Sequence, residues 1–494
     1  PARRGNNSRM GDTFLFYDIE TTGLSRAYDQ ILEFAAIRTD AGLNEIERFS
    51  ASLRLREDVI PSPAAILVNR IRTARFSSGR REYEAVLDIH REMNRPGTTG
   101  IGYNSIGFDD EFLRFSFHRN LLPPYTHQFA GRCRRMDLLP ITIMYWIHRR
   151  EALVWPTLNG KDSLKLEDIG AANGFFTGQS HDAMCDAEAC LRLGRRLFQD
   201  EKMWRYLEGC FDAETDARRA AELPTAFQSP HGGHALGILV SSEWGTRNGF
   251  QAPVLSIGSS VPYPKQGLWL RLDLPNLRET QIENPAAASW VVRKRCGEPG
   301  ILLPPHDRHF EPIGPERRSQ MEQNIEWLKA HPGEFAALIR HHRHYRYPFI
   351  PDLDPDAGLY QNGFLPRPDE ALCREFHAAP LSGKIDLIGR FKRREARVLA
   401  ARLLFRNFAG EIPETLVRES DEHRQRIRQG PPMADFNGRP RITPQRALAE
   451  IRELRLASGL DREQQELLDD LERDIAERWA CAPEAPTPET PTPA

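Results

Sequence analysis

Phe14-Leu15-Phe16-Tyr17-Asp18-Ile19-Glu20-Thr21-Thr22-Gly23 is the most informative stretch of this chain. Its first four residues form a continuous apolar run, as expected of a strand buried on both faces. Side chains alternate along a strand, so Phe16, Asp18 and Glu20 point one way and Tyr17 and Ile19 the other. Two carboxylates side by side at the end of such a strand repel each other unless a cation lies between them. An isolated Asp-x-Glu also has a blander account, a strand that has simply ended in solvent. The pair gains its meaning from two later segments of the chain, around Asp109 and around Asp186.

Beyond this stretch, further strands are expected over 34–39, 49–53 and 99–103, and helices over 81–93, 109–119, 138–148, 164–173 and 183–198. That alternation describes an α/β unit. Asp109 follows Asn104-x-x-x-Phe108 at a strand-to-helix turn, where a helix N-terminus favours negative charge. Simple capping would explain it too, and Asp110 and Glu111 compete for any role it has. His181 and Asp186 are five apart, too far round a helix to share one face. With His181 in the preceding loop, Asp182 as N-cap and Asp186 in the first turns, both can look into one cleft. Four carboxylates and one imidazole, delivered from three separated segments, suit phosphodiester hydrolysis by two divalent cations. Hard cations take oxygen ligands, a pair of them can clamp the attacking and leaving oxygens, and a histidine can take the proton from water.

The order Asp-x-Glu, Asn-x-x-x-Phe-Asp, His-x-x-x-x-Asp resembles the three motifs of the DEDDh exonuclease family, flanks included: Phe16 to Gly23 is close to the first motif and His181-Asp182-Ala183-Met184-Cys185-Asp186-Ala187 to the third. The resemblance implies a ribonuclease H-like mixed sheet flanked by helices, with Asp18, Glu20, Asp109 and Asp186 holding two Mg2+ ions (Mn2+ able to substitute) and His181 as general base. Over nearly its whole length the chain is similar to the exonuclease I branch of that family, the bacterial single-strand-specific deoxyribonucleases. Phe34-Ala35-Ala36-Ile37-Arg38-Thr39-Asp40, Leu359-Tyr360-Gln361-Asn362-Gly363-Phe364 and Leu403-Leu404-Phe405-Arg406-Asn407-Phe408 carry that likeness.

This implies a nuclease domain over 13–207, an SH3-like β-rich middle domain over 208–356, a helical C-terminal domain over 357–480 and a disordered tail over 481–494. It further implies 3′-to-5′ removal of 5′-mononucleotides from single-stranded DNA in DNA repair or recombination. The expected setting is a monomer in the bacterial cytoplasm, docking the C-terminal tail of single-strand-binding protein. Arg114 and Tyr125 fall where the family contacts DNA, Phe129 is a candidate stacking surface, and Glu20 and Lys165 are further candidate substrate contacts. Lys165 replaces an arginine the family often has, which keeps the charge and loses the planar fork. An RNA-trimming enzyme with the same site, or a non-catalytic scaffold on single strands, are the competing readings.

The remaining sequence fits such a chain. At 494 residues several domains are expected. No apolar run of about 18 residues is present, so no membrane span is expected, and the polar, basic start lacks the apolar core of a secretory signal. Seven cysteines without a Cys-x-x-Cys pair argue against a zinc ribbon or a disulfide framework. Short β-like runs at 235–240, 252–257, 268–272 and 290–294 are followed by helices at 319–330 and 333–343. Pro348, Pro351 and Pro355 mark a linker, and helices are expected again over 369–378, 384–405, 443–457 and 461–479. The net charge is −2, but 384–406 carries eight Lys/Arg against Asp386 and Glu395. That local excess can steer a polyanion, receive the acidic tail of a partner, or be an ordinary solvated helix face.

Overall fold

In the computed structural model, which describes residues 12–176, 182–457 and 459–480, β1 (Thr13–Thr21) is the central strand of a five-stranded mixed sheet. Antiparallel β2 (Ile31–Thr39) and β3 (Glu45–Ser52) extend one side. After α1 (Pro63–Asn69) and α2 (Glu82–Met93), parallel β4 (Thr98–Gly102) joins the other side. Next come α3 (Asp109–Arg119), β5 (Arg134–Asp137) and α4 (Leu138–His148). A two-residue hairpin, β6 (Thr157–Leu158) with β7 (Lys161–Asp162), precedes α5 (Leu166–Asn173) and α6 (Ala183–Leu197). The order β3-β2-β1-β4-β5 is the ribonuclease H-like sheet.

The alternation expected of β1 holds. Leu15, Tyr17 and Ile19 are buried against α2 and α3 with Val86, Ile89, Phe112 and Phe117. Phe16 lies on the opposite face with Leu138, Cys190 and Leu193. Asp18 and Glu20 therefore fall on the α6 side. The helix approaches closely because Gly194 has no side chain: a Cβ there would stand 2.9 Å from the fully buried Phe16 ring.

After α7 (Glu201–Glu208) and α8 (Ala213–Ala221) comes a wholly antiparallel six-stranded sheet. Its strands are β8 (Thr225–Ser229), β9 (Gly232–Val240), β10 (Gln251–Ser259), β11 (Gln266–Arg271), β12 (Val291–Arg295) and β13 (Ile301–Leu303). β9 pairs with three of them, β8, β10 and β13. The short helix α9 (Asp307–Phe310), then α10 (Pro315–Ala330) and α11 (Pro332–His344), complete this unit. One apolar core runs from Phe16 and Leu138 into Ile238, Leu255 and Leu338, so the sheet packs directly on the α/β unit. Trp146 of α4 meets Phe250 edge-on at 5.3 Å.

The last part is helical: α12 (Arg367–Ala378), α13 (Leu381–Leu387), α14 (Arg394–Phe408), α15 (Glu414–Gln429), α16 (Pro444–Leu456) and α17 (Arg462–Trp479). The single helix expected over 384–405 is two, separated by a 3-10 turn at Ile388–Arg390. Asp369 causes the break: its carboxylate accepts the backbone N–H of Lys392 and Arg393, both at 2.9 Å, and so starts α14 from outside it. The expected helices over 443–457 and 461–479 match α16 and α17; α15, β5, β8 and β13 had no sequence expectation.

The proline-rich linker is no loose tether. Asp354 and Asp356 are buried, and Arg402 bonds them at 2.6 and 2.8 Å. Arg406 bridges Asp356 at 2.6 Å and Asp58 of the α/β unit at 2.7 Å. Arg56 reaches Asp58 at 3.2 Å and Glu82 at 2.8 Å. Asp58, Asp356 and His423 lie close enough to suggest a metal site, but these arginines already supply the positive charge.

The same contacts correct the expectation of a basic surface at 384–406. Arg402 and Arg406 point inward, and the buried ammonium of Lys384 donates to the carbonyls of Ala379 and His377. Arg390 pairs with Glu375 at 2.7 Å. Lys392, Arg394 and Arg397 remain exposed. Among the described residues no helix is long and apolar enough to cross a membrane. The expected tail, 481–494, lies outside the described residues.

Candidate active site

Three elements deliver acids to one place. β4 pairs with β1 only as far as Phe16 opposite Ile101, so beyond that point one edge of β1 is open. There the backbone N–H of Ile19 lies near enough to the Asp109 carboxylate, at the start of α3, to favour its charged form. On the other side Asp182 caps α6, accepting from Met184 N at 3.0 Å and Cys185 N at 3.2 Å. Asp186 falls in the first turn, where the helix N-terminus favours its charge. Carboxylate oxygens of Asp18, Glu20 and Asp186 all lie within 4.8 Å of one another, near enough to share a cation.

The electrostatics result from that crowding. Burial, then Asp109, Asp186 and Glu20, raise the Asp18 carboxyl well above its ordinary value. Burial, then Asp186, Glu33 and Asp109, push Glu20 up to about 8. Burial, with Asp137 and Asp110 adding to it, pushes Asp109 to about 8. A cluster of acids that resists ionising in this way is what divalent cations stabilise, since they displace protons and cancel the repulsion.

Asp110 and Glu111, the sequence competitors of Asp109, are committed elsewhere. The Asp110 carboxylate meets Arg135 at 2.6 Å, His127 at 2.7 Å and Arg114 at 2.9 Å. Despite burial, these neighbours hold it well below the usual carboxylate range. Glu111 pairs with Arg114 and accepts from the Tyr360 hydroxyl.

Asp137 carried no expectation from sequence, yet it sets the turn that aims Asp109. This buried carboxylate accepts Asn104 N at 2.8 Å and Ile106 N at 3.2 Å, and caps α4 through Leu139 N at 3.0 Å. Asn104 itself sits in the left-handed region, at φ 59°. The one sequence signal was an Asp followed by Leu-Leu-Pro, a helix start.

His181 lies outside the described residues. Of the substrate candidates, Arg114 is buried, paired with Asp110 and Glu111, and stands over the Tyr125 ring at 5.4 Å. It positions neighbouring groups and offers no open fork to phosphate. Tyr125 is half-buried beside exposed Phe364 at 5.8 Å. Phe129 is exposed, and Lys165 is an exposed side chain paired with Glu167 at 3.0 Å.

Comparison with known proteins fits this geometry. A family described as exonuclease matches residues 15–193. Exodeoxyribonuclease I of Escherichia coli is 36% identical over 194 residues, 38% of this chain and 41% of that protein. The Haemophilus influenzae exodeoxyribonuclease I is 32% identical over 198 residues, 39% of this chain and 42% of that protein. These sequence matches thus span about two fifths of those relatives' length. The likeness in fold extends further. The crystal structure of E. coli exonuclease I in complex with a dA16 oligonucleotide superposes with a TM-score of 0.79 at 24% identity, covering 94% of this chain and all of that one. Exonuclease I from Methylocaldum szegediense gives 0.79 at 24% identity, with 95% of this chain covered.

Proposed function

We propose that this chain, whose residues 15–193 form an exonuclease domain within the fold of bacterial exonuclease I, removes 5′-mononucleotides from the 3′ end of single-stranded DNA. The observation that carries the reading is the convergence of Asp18, Glu20 and Asp186, with Asp109 near enough to raise the carboxyls of the first two. The donor set is all oxygen, partly buried and mutually repulsive, which fits hard divalent cations such as Mg2+. Asp18, Glu20, Asp109 and Asp186 would hold two of them, which when bound supply positive charge against the charge that develops on the phosphoryl and leaving oxygens.

The chain's own residues do the rest. β1, α3 and α6 carry the acids, and Asp137 holds the turn before Asp109. His181, assigned by its motif, takes a proton from the attacking water through an imidazole nitrogen. DNA rather than RNA is favoured by the relatives that share the domain, which are named exodeoxyribonucleases. We place the activity in cytoplasmic DNA repair or recombination, in a monomer that docks the tail of single-strand-binding protein.

Digestion of end-labelled single-stranded DNA, the matching duplex and RNA, with Mg2+ or with chelator, tests the proposal. Mg2+-dependent release of mononucleotides from the 3′ end of the single strand, with duplex and RNA much slower, is expected. Faster release from RNA would assign the RNA-trimming alternative. Absence of metal-dependent release would leave a binding protein, and release that survives Asp186→Ala would overturn the assignment of the reaction to this acidic cluster.

A further inference from the structure

Glu20 and Glu33 stand directly opposite each other on antiparallel β1 and β2. Cross-strand partners share a face of the sheet, so Glu33 lies on the α6 side with the acidic cluster, and like charges placed this way weaken a sheet. The Glu33 side chain is only 11% exposed, too little for water to disperse its charge. Two groups compensate it instead.

The first is a cation. Arg75 forms an ion pair with the Glu33 carboxylate. It belongs to the 3-10 turn Thr73–Ser77, which is fastened to the C-terminal helices. Phe76, next to Arg75, is buried with Leu467, Leu468 and Leu471 of α17, and nearby Arg70 pairs with Asp461 at 2.9 Å. The second is the start of α6. The first N–H groups of a helix have no partner within it. The Asp182 side chain accepts those of Met184 and Cys185 but not that of Ala183. The Ala183 N–H lies near enough to Glu33 to favour the charged form of that carboxylate. Glu33 thus stands between a guanidinium and the helix end that carries Asp186, three residues further on.

We infer that Glu33, held by Arg75, is a positioning residue: it anchors the first turn of α6 to β2 and so sets the place of Asp186 beside Asp18 and Glu20. The inference rests on the proposed function and deepens it. Asp18 and Glu20 are fixed by a central strand, whereas Asp186 rides on a helix end. Glu33 ties that end to the strand next to β1. Losing an outer group that orients a metal-binding residue changes metal affinity or activity by about 10–100-fold.

The test pairs Mn2+ binding, followed by electron paramagnetic resonance without DNA, with single-turnover digestion of a labelled single strand. Glu33→Ala is expected to weaken Mn2+ binding and slow the single-turnover rate, each by about 10–100-fold. Its affinity for single-stranded DNA in chelator should stay within about two-fold of the original. Glu33→Gln keeps an oxygen for the Ala183 N–H and should recover both quantities to within about three-fold. Arg75→Met leaves the Glu33 charge uncompensated, which by charge alone would draw Mn2+ more tightly. Weaker Mn2+ binding is expected there nonetheless, because Glu33 loses its hold. Glu33→Ala/Arg75→Met should be no worse than Glu33→Ala alone, since Arg75 acts through Glu33.

Equal losses in Glu33→Ala and Glu33→Gln would overturn the inference, because charge rather than anchoring would then be at work. So would a Glu33→Ala that melts earlier with Mn2+ binding and rate intact; both results leave the proposed function standing. Should Glu33→Ala not fold, Arg75→Met decides: weakened Mn2+ binding supports the inference, and unchanged or tighter binding overturns it. If the unaltered chain neither binds Mn2+ nor cuts the strand, the proposed function itself fails.

Discussion

Asp109 and Asp110 are consecutive and both buried, yet their surroundings drive them in opposite directions. Burial and acidic neighbours hold Asp109 at about 8, whereas Arg135, Arg114 and His127 keep Asp110 ionised far below the usual range. Asp109→Asn should therefore fold normally while cutting metal-dependent hydrolysis by more than about 100-fold, the upper end of what outer partners of a metal site cost. Asp110→Asn should do its damage through stability. It leaves buried Arg114 and partly buried Arg135 short of a counter-charge, at a cost of about 3–5 kcal/mol. Denaturation midpoints and single-turnover rates of the two variants separate these effects.

Asp18 is destabilised by its own charge as long as no cation is bound. Asp18→Asn removes one member of a repulsive group at nearly constant shape. In chelator the variant should unfold at a temperature higher by about 2 °C, as expected for roughly 1 kcal/mol, while its hydrolytic activity is lost. Calorimetry with and without Mg2+ reads both parts, because added metal should raise the transition of the original chain more than that of the variant.

Gly194 sets the distance between α6 and β1. An alanine there puts a methyl 2.9 Å from a Phe16 ring atom, and that ring is fully buried and cannot swing away. Gly194→Ala should cost about 1–3 kcal/mol as overpacking. It should also slow turnover by up to about 100-fold, because α6 carries Asp186 and small misplacements of a reacting group are expensive. A rate that stays constant while stability falls would show that α6 tilts without moving its first turn.

Arg406 joins the α/β unit to the linker through Asp58 and Asp356, whose carboxyls it helps hold well below their ordinary values. Depressed folded-state values mean that this stabilisation is present above the unfolded value of about 3.9 and is lost as pH falls toward the folded ones. Arg406→Met strands two buried carboxylates and should cost about 3–5 kcal/mol near neutral pH. As pH drops below about 4 the two acids can be protonated and the original chain loses its advantage, so the gap between the two proteins should narrow. Midpoints measured from about pH 7 down to about pH 3, across that unfolded value, give the comparison.

Periodic or contiguous features were legible in the sequence. β1, α3 and α4 were readable from apolar runs and amphipathic spacing, and Asp182 from its place before an apolar helix face. Asp18, Glu20, Asp109 and Asp186 emerged because each motif carries its flanks within a few residues. Features that stayed hidden depend on partners remote in sequence. Arg402 and Arg406 counted as surface charge until Asp354, Asp356 and Asp58 were seen beside them. The break between α13 and α14 is imposed by Asp369, on another helix. Asp137 acts on a turn more than thirty residues upstream, and Arg114 looked available to phosphate until Asp110 and Glu111 enclosed it.

If acids remote in sequence hold shared divalent cations, the ions themselves should be visible. An anomalous difference map from crystals of the chain soaked in Mn2+, recorded for the original protein and for Asp18→Asn, looks for them. Two peaks bounded by Asp18, Glu20, Asp109 and Asp186 are expected, at least one of which disappears in the variant. Manganese bound elsewhere with that cluster empty, or peaks indifferent to Asp18→Asn, would refute the shared-cation site.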